Sequence, residues 1–151
     1  MVSVHREDIY RSMLAAFTGA ATITGETVTL TGLKEETMDQ SEWYHFQFLT
    51  LIPRRTRSDN LLADGMIRVV CNSRSPAGST IDIATPYAMA DRVVAALERK
   101  TVAIQNYSAG DGLTRVGSAF LQEAQIDDLN DEASGVRPLI VTFEYLLTAE
   151  N

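Results

Sequence analysis

Two histidines, a single cysteine and a scatter of carboxylates are the residues of this chain with the chemistry for acid–base, nucleophilic or metal-assisted work. His5 falls at the start of a helical pattern, and His45 sits mid-strand between Trp43 and Gln47. Neither has a second His or Cys at ligand spacing, so a histidine-based metal site is not expected. Cys71 ends an apolar run, where a small thiol packs as a hydrophobe. As the only cysteine it supports neither an internal disulfide nor a thiolate cluster. No GxSxG elbow is present, and no motif presents Cys71 as a nucleophile. The small-residue loops SPAGS (75–79) and SAGDG (108–112) match neither a P-loop nor a dinucleotide fingerprint. Asp127, Asp128, Asp131 and Glu132 fail the EF-hand spacing and read as a solvated loop. The expectation is therefore a protein that is not an enzyme, with no catalytic residue, no cofactor and no metal.

Charge offers one further feature. Arg54, Arg55 and Arg57 in PRRTR form the single basic cluster of a chain whose net charge is −7. The deficit lies mostly in the second half, where residues 76–151 carry 5 Lys/Arg against 11 Asp/Glu. Phosphate backbones repel such a chain at long range, so specific nucleic-acid binding is not expected. Arginine pairs bidentately with carboxylates and is favoured at interfaces. A basic loop at one place and the acidic DDLNDE run at another would suit head-to-tail self-association, which closes into a ring when the rotation allows. No run approaches the apolar length of a membrane span. The N-terminus lacks a secretory h-region, and the lone cysteine suits a reducing compartment.

The elements that must carry these residues are legible from periodicity. With 45% apolar and 22% charged residues, the chain reads as one globular domain, residues 1–151. Ser3 to Gly19 is a helix capped by Ser3, with Ile9, Met13, Ala16 and Phe17 on one face, Tyr10 and Leu14 widening it, and Glu7–Arg11 paired outside. TVTLTG (27–32) alternates as a half-buried strand. The strand beginning SEWYHF places Tyr44, Phe46 and Phe48 on one face and Trp43, His45 and Gln47 on the other, and Pro53 stops it. RTRSDNLLADG (55–65) reads as a connection, followed by strands MIRVVCNS (66–73) and TIDIA (80–84). Thr85 as N-cap and Pro86 at the first helical position open a second helix. Its apolar stripe is Ala90, Val93, Val94 and Leu97, with Asp91, Arg92, Glu98 and Arg99 toward water. Strands TVAIQNY, LTRVGSAFLQEAQI and RPLIVTFEYLL follow, the last two joined by the polar loop DDLNDEASG (127–135). The expected fold is α+β, a mostly antiparallel sheet with two principal helices packed on one face.

This order of elements resembles the tail terminator (tail completion) proteins of long-tailed bacteriophages, of the lambda type. The likeness is carried by REDIYRSMLAAF, GMIRVVCNS, TPYAMADRVVAAL, LTRVGSAFLQEA and RPLIVTFEYLL, across roughly Arg6 to Leu147. It implies a homohexameric ring in the virion neck, made in the bacterial host cytoplasm. Such a ring caps the tail tube, halts its growth and presents a face to the head-side connector. The implied partners are further copies of the chain, the tail tube protein and a connector or neck protein, with no membrane. By analogy, interface contacts fall in polar loops around Arg54, Arg55, Arg57, Asp59, Asp111, Asp127 and Asp128.

Three other readings stay open. A head-closure or connector protein of the same virion region shares the size, mixed fold and lack of catalytic signature. A small α+β enzyme or ligand-binding module would need ionisable partners gathered around His45, such as Glu42 or Asp64. An accessory domain would add a strand to a partner's exposed edge.

Overall fold

The computed structural model describes residues 4–30, 41–53, 61–74, 84–128 and 136–149, without the side chains of residues 50–53 and 61–63. Two helices, α1 (Arg6–Thr18) and α2 (Ala84–Leu97), accompany seven strands: β1 (Val28–Thr29), β2 (Glu42–Pro53), β3 (Leu61–Arg74), β4 (Thr101–Gln105), β5 (Arg115–Leu121), β6 (Gln125–Asp128) and β7 (Val136–Ala149). The sheet runs β1-β2-β3-β7-β5-β4, with β6 also beside β7. Every pairing is antiparallel except the short one between β1 and β2. The architecture is α+β, with the helices gathered over one face of the sheet.

Period-two patterning builds that face. Tyr44, Cys71 and Leu139 lie in one cross-strand row, and Phe46, Val69 and Val141 in the next. Phe48, Ile67 and Phe143 form a third, and all of these except the partly buried Phe48 are sealed from solvent. In β7, Leu139, Val141, Phe143, Tyr145 and Leu147 are all buried, as alternation requires of a strand with one covered face. Helix α1 lays Ile9, Met13 and Phe17 on the sheet. The Phe17 ring stacks on Phe46 at 5.7 Å and meets Tyr44 edge-on at 5.9 Å. Each such side chain contributes about 1.5–3 kcal/mol through burial. Helix α2 covers the rest with Met89, Ala90, Val93 and Leu97.

Local detail departs from the sequence reading in several places. Helix α1 opens at Arg6 with an extended His5 as N-cap, while Ser3 lies outside the described residues. Asp8 makes the start possible by accepting the His5 backbone N–H at 3.3 Å. Gly19 does end the helix, but in a right-handed conformation (φ −86°). The expected pair Glu7–Arg11 forms at 3.0 Å. Of the expected TVTLTG strand, the described residues place Val28–Thr29 in the sheet, and Leu30, expected on its apolar side, is 47% exposed; Thr31 and Gly32 lie outside the described residues.

Strand β3 starts earlier than its hydrophobic run suggests. Leu61–Gly65, read as part of a connection, pair with β7. A Cβ on Gly65 would fall within the ring of Tyr145, so glycine there lets the aromatic cross the strand. Helix α2 begins at Ala84, which places Thr85 and Pro86 inside its first turn and not at the cap. Proline is tolerated there because first-turn N–H groups have no intrahelical acceptor. Residues 80–83 of the expected TIDIA strand lie outside the described residues.

The run LTRVGSAFLQEAQI is two strands, not one. Pairing slips by one residue between Leu121–Tyr145 and Gln125–Thr142, so an extra residue bulges out of the ladder at Gln122–Ala124. The Gln122 N–H still reaches the Glu144 carbonyl, and the Ala124 N–H turns to Glu98 at 2.9 Å. Past this bulge Asp127 and Asp128, expected in a loop, are strand residues of β6.

Candidate functional site

The histidine that opened the search stands alone. His45 pairs across the ladder with Val70, itself opposite Ile140, and on its other side with Thr29, so no ionisable group stands beside it in the cross-strand row. Desolvation by this half-buried position lowers its proton affinity, and no charged neighbour contributes. Glu42 turns instead toward Arg92, and Asp64 lies opposite Ile52, far along the ladder from His45. Cys71 is fully buried, and burial pushes its thiol up to about 12 against the pull of Arg92. A thiol so protonated is a poor nucleophile. Among the described residues no three His, Cys, Asp or Glu side chains gather where they could hold a metal ion. No described helix is long and apolar enough to cross a membrane.

Polar side chains inside the molecule mostly join elements. Arg92, expected in water, is the centre of a network: it donates to Glu26 at 3.3 Å and to the Tyr44 hydroxyl at 3.2 Å, and pairs with Glu42 at 3.9 Å. Burial disfavours its charge, yet Tyr44, Glu26 and Glu42 together raise its pKa. Desolvation in turn drives the Tyr44 phenol up to about 12. Asp8, 1% exposed, accepts the backbone N–H of Ser108 at 2.7 Å and its hydroxyl at 3.0 Å, tying α1 to the turn after β4. Neither role has a local motif that would reveal it, because the partners are far apart in sequence.

Of the residues expected at interfaces, the described ones do not form one patch. Arg54, Arg55, Arg57 and Asp59 lie outside the described residues. Asp111 is exposed in the turn between β4 and β5, where its carboxylate accepts the Leu113 N–H at 2.9 Å. Asp127 and Asp128 lie at the other end of the nearly continuous β5–β6 run, about 40 Å from the turn at normal strand rise. They also differ from each other. Asp128 is committed internally, to Arg137 at 2.6 Å and to the Tyr87 hydroxyl at 3.2 Å. Asp127 stays exposed beside the outer-face residue Ile140.

Three surface features remain, none signalled by a motif. On the face of the sheet away from the helices, Gln47, Arg68, Thr142 and Gln125 make a polar row across four strands. Arg68 is partly buried there, its Nε sealed from solvent without a hydrogen bond among the described residues. At the tip of the β4–β5 turn, Leu113 is 80% exposed, held out by Gly112 in a left-handed conformation (φ 74°). The third feature is a groove of 660 Å³ between the C-terminal ends of the two helices and strand β4.

In comparisons with known proteins, neither a family model nor a curated protein matches this chain.

Proposed function

We propose that this protein is a structural ring subunit of a phage virion, a tail terminator. Further copies close the ring, which caps the tail tube and faces the head-side connector. No enzyme activity or cofactor belongs to this reading. The observation that supports it is the presence of two unlike surfaces. One holds Arg68 on the outer face of the sheet, partly buried, with its Nε sealed from solvent and unbonded among the described residues. The other is a protruding turn that offers an exposed Leu113 beside the carboxylate of Asp111. A half-buried guanidinium favours a carboxylate partner, and exposed Leu113 favours an apolar one. Because the two surfaces differ, joining them is heterologous, the geometry that generates rings. Arg54, Arg55 and Arg57, which lie outside the described residues, are proposed as further basic contacts to an acidic loop of the next copy.

Sedimentation of the purified chain tests this reading. A hexamer, or a monomer that becomes one on tube ends, supports it. A strict monomer in the presence of tubes removes it. Replacing Arg54, Arg55 and Arg57 with Ser without any change in oligomer size removes the part assigned to the basic cluster. The closest competing reading, a head-closure protein, differs in what its loss produces: tails of normal length that fail to join heads.

A further inference from the structure

Strand β4 ends the sheet, so one of its edges has no neighbouring strand among the described residues. The ladder fixes which groups that edge presents. The Leu121 N–H bonds to the Lys100 carbonyl, so Val102 and Ile104 also turn their backbone groups toward β5, and Thr101, Ala103 and Gln105 turn theirs outward. At Gln105 the outward N–H is taken by the Ser12 hydroxyl of α1 at 2.9 Å. The outward N–H and C=O groups of Thr101 and Ala103 bond to nothing among the described residues.

Thr101 and Ala103 both line the 660 Å³ groove. Its walls are thin because Ala15, Ala16, Gly19 and Ala96 supply them, and Gln105 lies at one end. The Gln105 Oε1 is shut off from solvent and accepts no hydrogen bond among the described residues. Charge sets the groove apart from the rest of the molecule. In a chain of net charge −7, no carboxylate lines it among the described residues, and Lys100 is the one basic side chain of that described lining.

The geometry points to strand addition at this groove by an extended, acidic segment of a partner protein, with small side chains on the positions facing α1 and α2. Backbone pairing to Thr101 and Ala103 supplies the register, and a carboxylate of the segment meets Lys100. An open edge strand can take up an added strand; the described part of β4 carries neither a charged residue nor a proline, and the bond that α1 makes to this edge falls at Gln105, beyond Thr101 and Ala103. This assignment goes beyond the ring reading and does not depend on it.

The test uses the full-length protein and a fluorescein-labelled peptide of about nine residues, alternating valine or alanine with aspartate, long enough to span β4. A second peptide carries lysine in place of aspartate. Binding is read by anisotropy, and the amide resonances of Thr101 and Ala103 are followed in a nitrogen-15 spectrum. The acidic peptide is expected to bind, to shift both resonances and to weaken with salt, while the basic peptide does not. Ala103→Pro removes only an outward N–H, a substitution that edge positions tolerate, and should weaken binding by at least about tenfold. Lys100→Glu should do the same. Should Ala103→Pro fail to fold, Ala95→Phe narrows the groove from an exposed helical position and should also abolish binding. No binding of the acidic peptide overturns the proposal, as does binding that these variants leave unchanged. Self-association lost in Ala103→Pro, without uptake of peptide, assigns the edge to a second copy and also overturns it.

Discussion

Asp8→Ala is expected to be among the most damaging single polar substitutions in this protein. Asp8 is 1% exposed and holds three donors: the His5 N–H, the Ser108 N–H and the Ser108 hydroxyl. Losing the helix-start contact costs about 1 kcal/mol. Ser108 is itself exposed, and the two bonds that the buried Asp8 accepts from it contribute about 2 kcal/mol more, at about 1 kcal/mol each. The expected loss is therefore about 3 kcal/mol. With a urea slope of about 2 kcal/mol per molar, the unfolding midpoint falls by about 1.5 M. Asp8→Asn keeps one carbonyl acceptor and should lose only about half as much. Urea unfolding of wild type, Asp8→Ala, Ser108→Ala and the double variant gives the coupling directly. The effects of the two single substitutions should fall short of additivity by about 1 kcal/mol, because the second one removes an already broken bond. A loss below about 1 kcal/mol for Asp8→Ala, or strict additivity, would refute the claim that this carboxylate joins α1 to the β4–β5 turn.

Other consequences are open to simple assays. Cys71, buried with its thiol pushed up to about 12, should react with a disulfide reagent only as fast as the protein unfolds; rapid labelling in native buffer would contradict its burial. Desolvation lowers the His45 pKa below the ordinary 6.5, so as pH falls the unfolded chain takes up the proton first. The stability linked to this neutral histidine is full above the unfolded value and declines as pH drops through it toward the folded value. Urea midpoints should therefore fall more steeply on acidification in wild type than in His45→Gln. Gly65→Ala drives a methyl into the Tyr145 ring and should cost about 2 kcal/mol or more, largely relieved when Tyr145→Leu is added. Tyr145→Phe should cost almost nothing in the urea midpoint, because the buried hydroxyl has no partner among the described residues to lose.

The repeated patterns of the fold were the legible part. Alternation in RPLIVTFEYLL identifies the five buried positions of β7, and the three-to-four spacing of Ile9, Met13 and Phe17 identifies the buried face of α1. Those signals survive because one covered face imposes a period on the chain. What the sequence did not reveal depends on distant neighbours. Leu61–Gly65 look like loop because their strand pairing comes from β7, and the bulge after Leu121 shows only as a slip against Tyr145 and Thr142. Arg92 sits on the polar side of the α2 pattern, but Glu26, Glu42 and Tyr44 converge on it from elsewhere. The interface residues were chosen for charge and loop position alone. That criterion cannot tell Asp128, which is spent on Arg137, from Asp127, which is not. It also passes over Arg68 and the β4 edge, whose significance lies in partners that are missing nearby.

The proposed role as a tail terminator stands or falls on electron microscopy of phage tails assembled without this protein. Tubes that grow past their normal length and lack a closing ring are expected, with length control restored by adding the protein back. Tails of normal length that join heads unaided would refute the role.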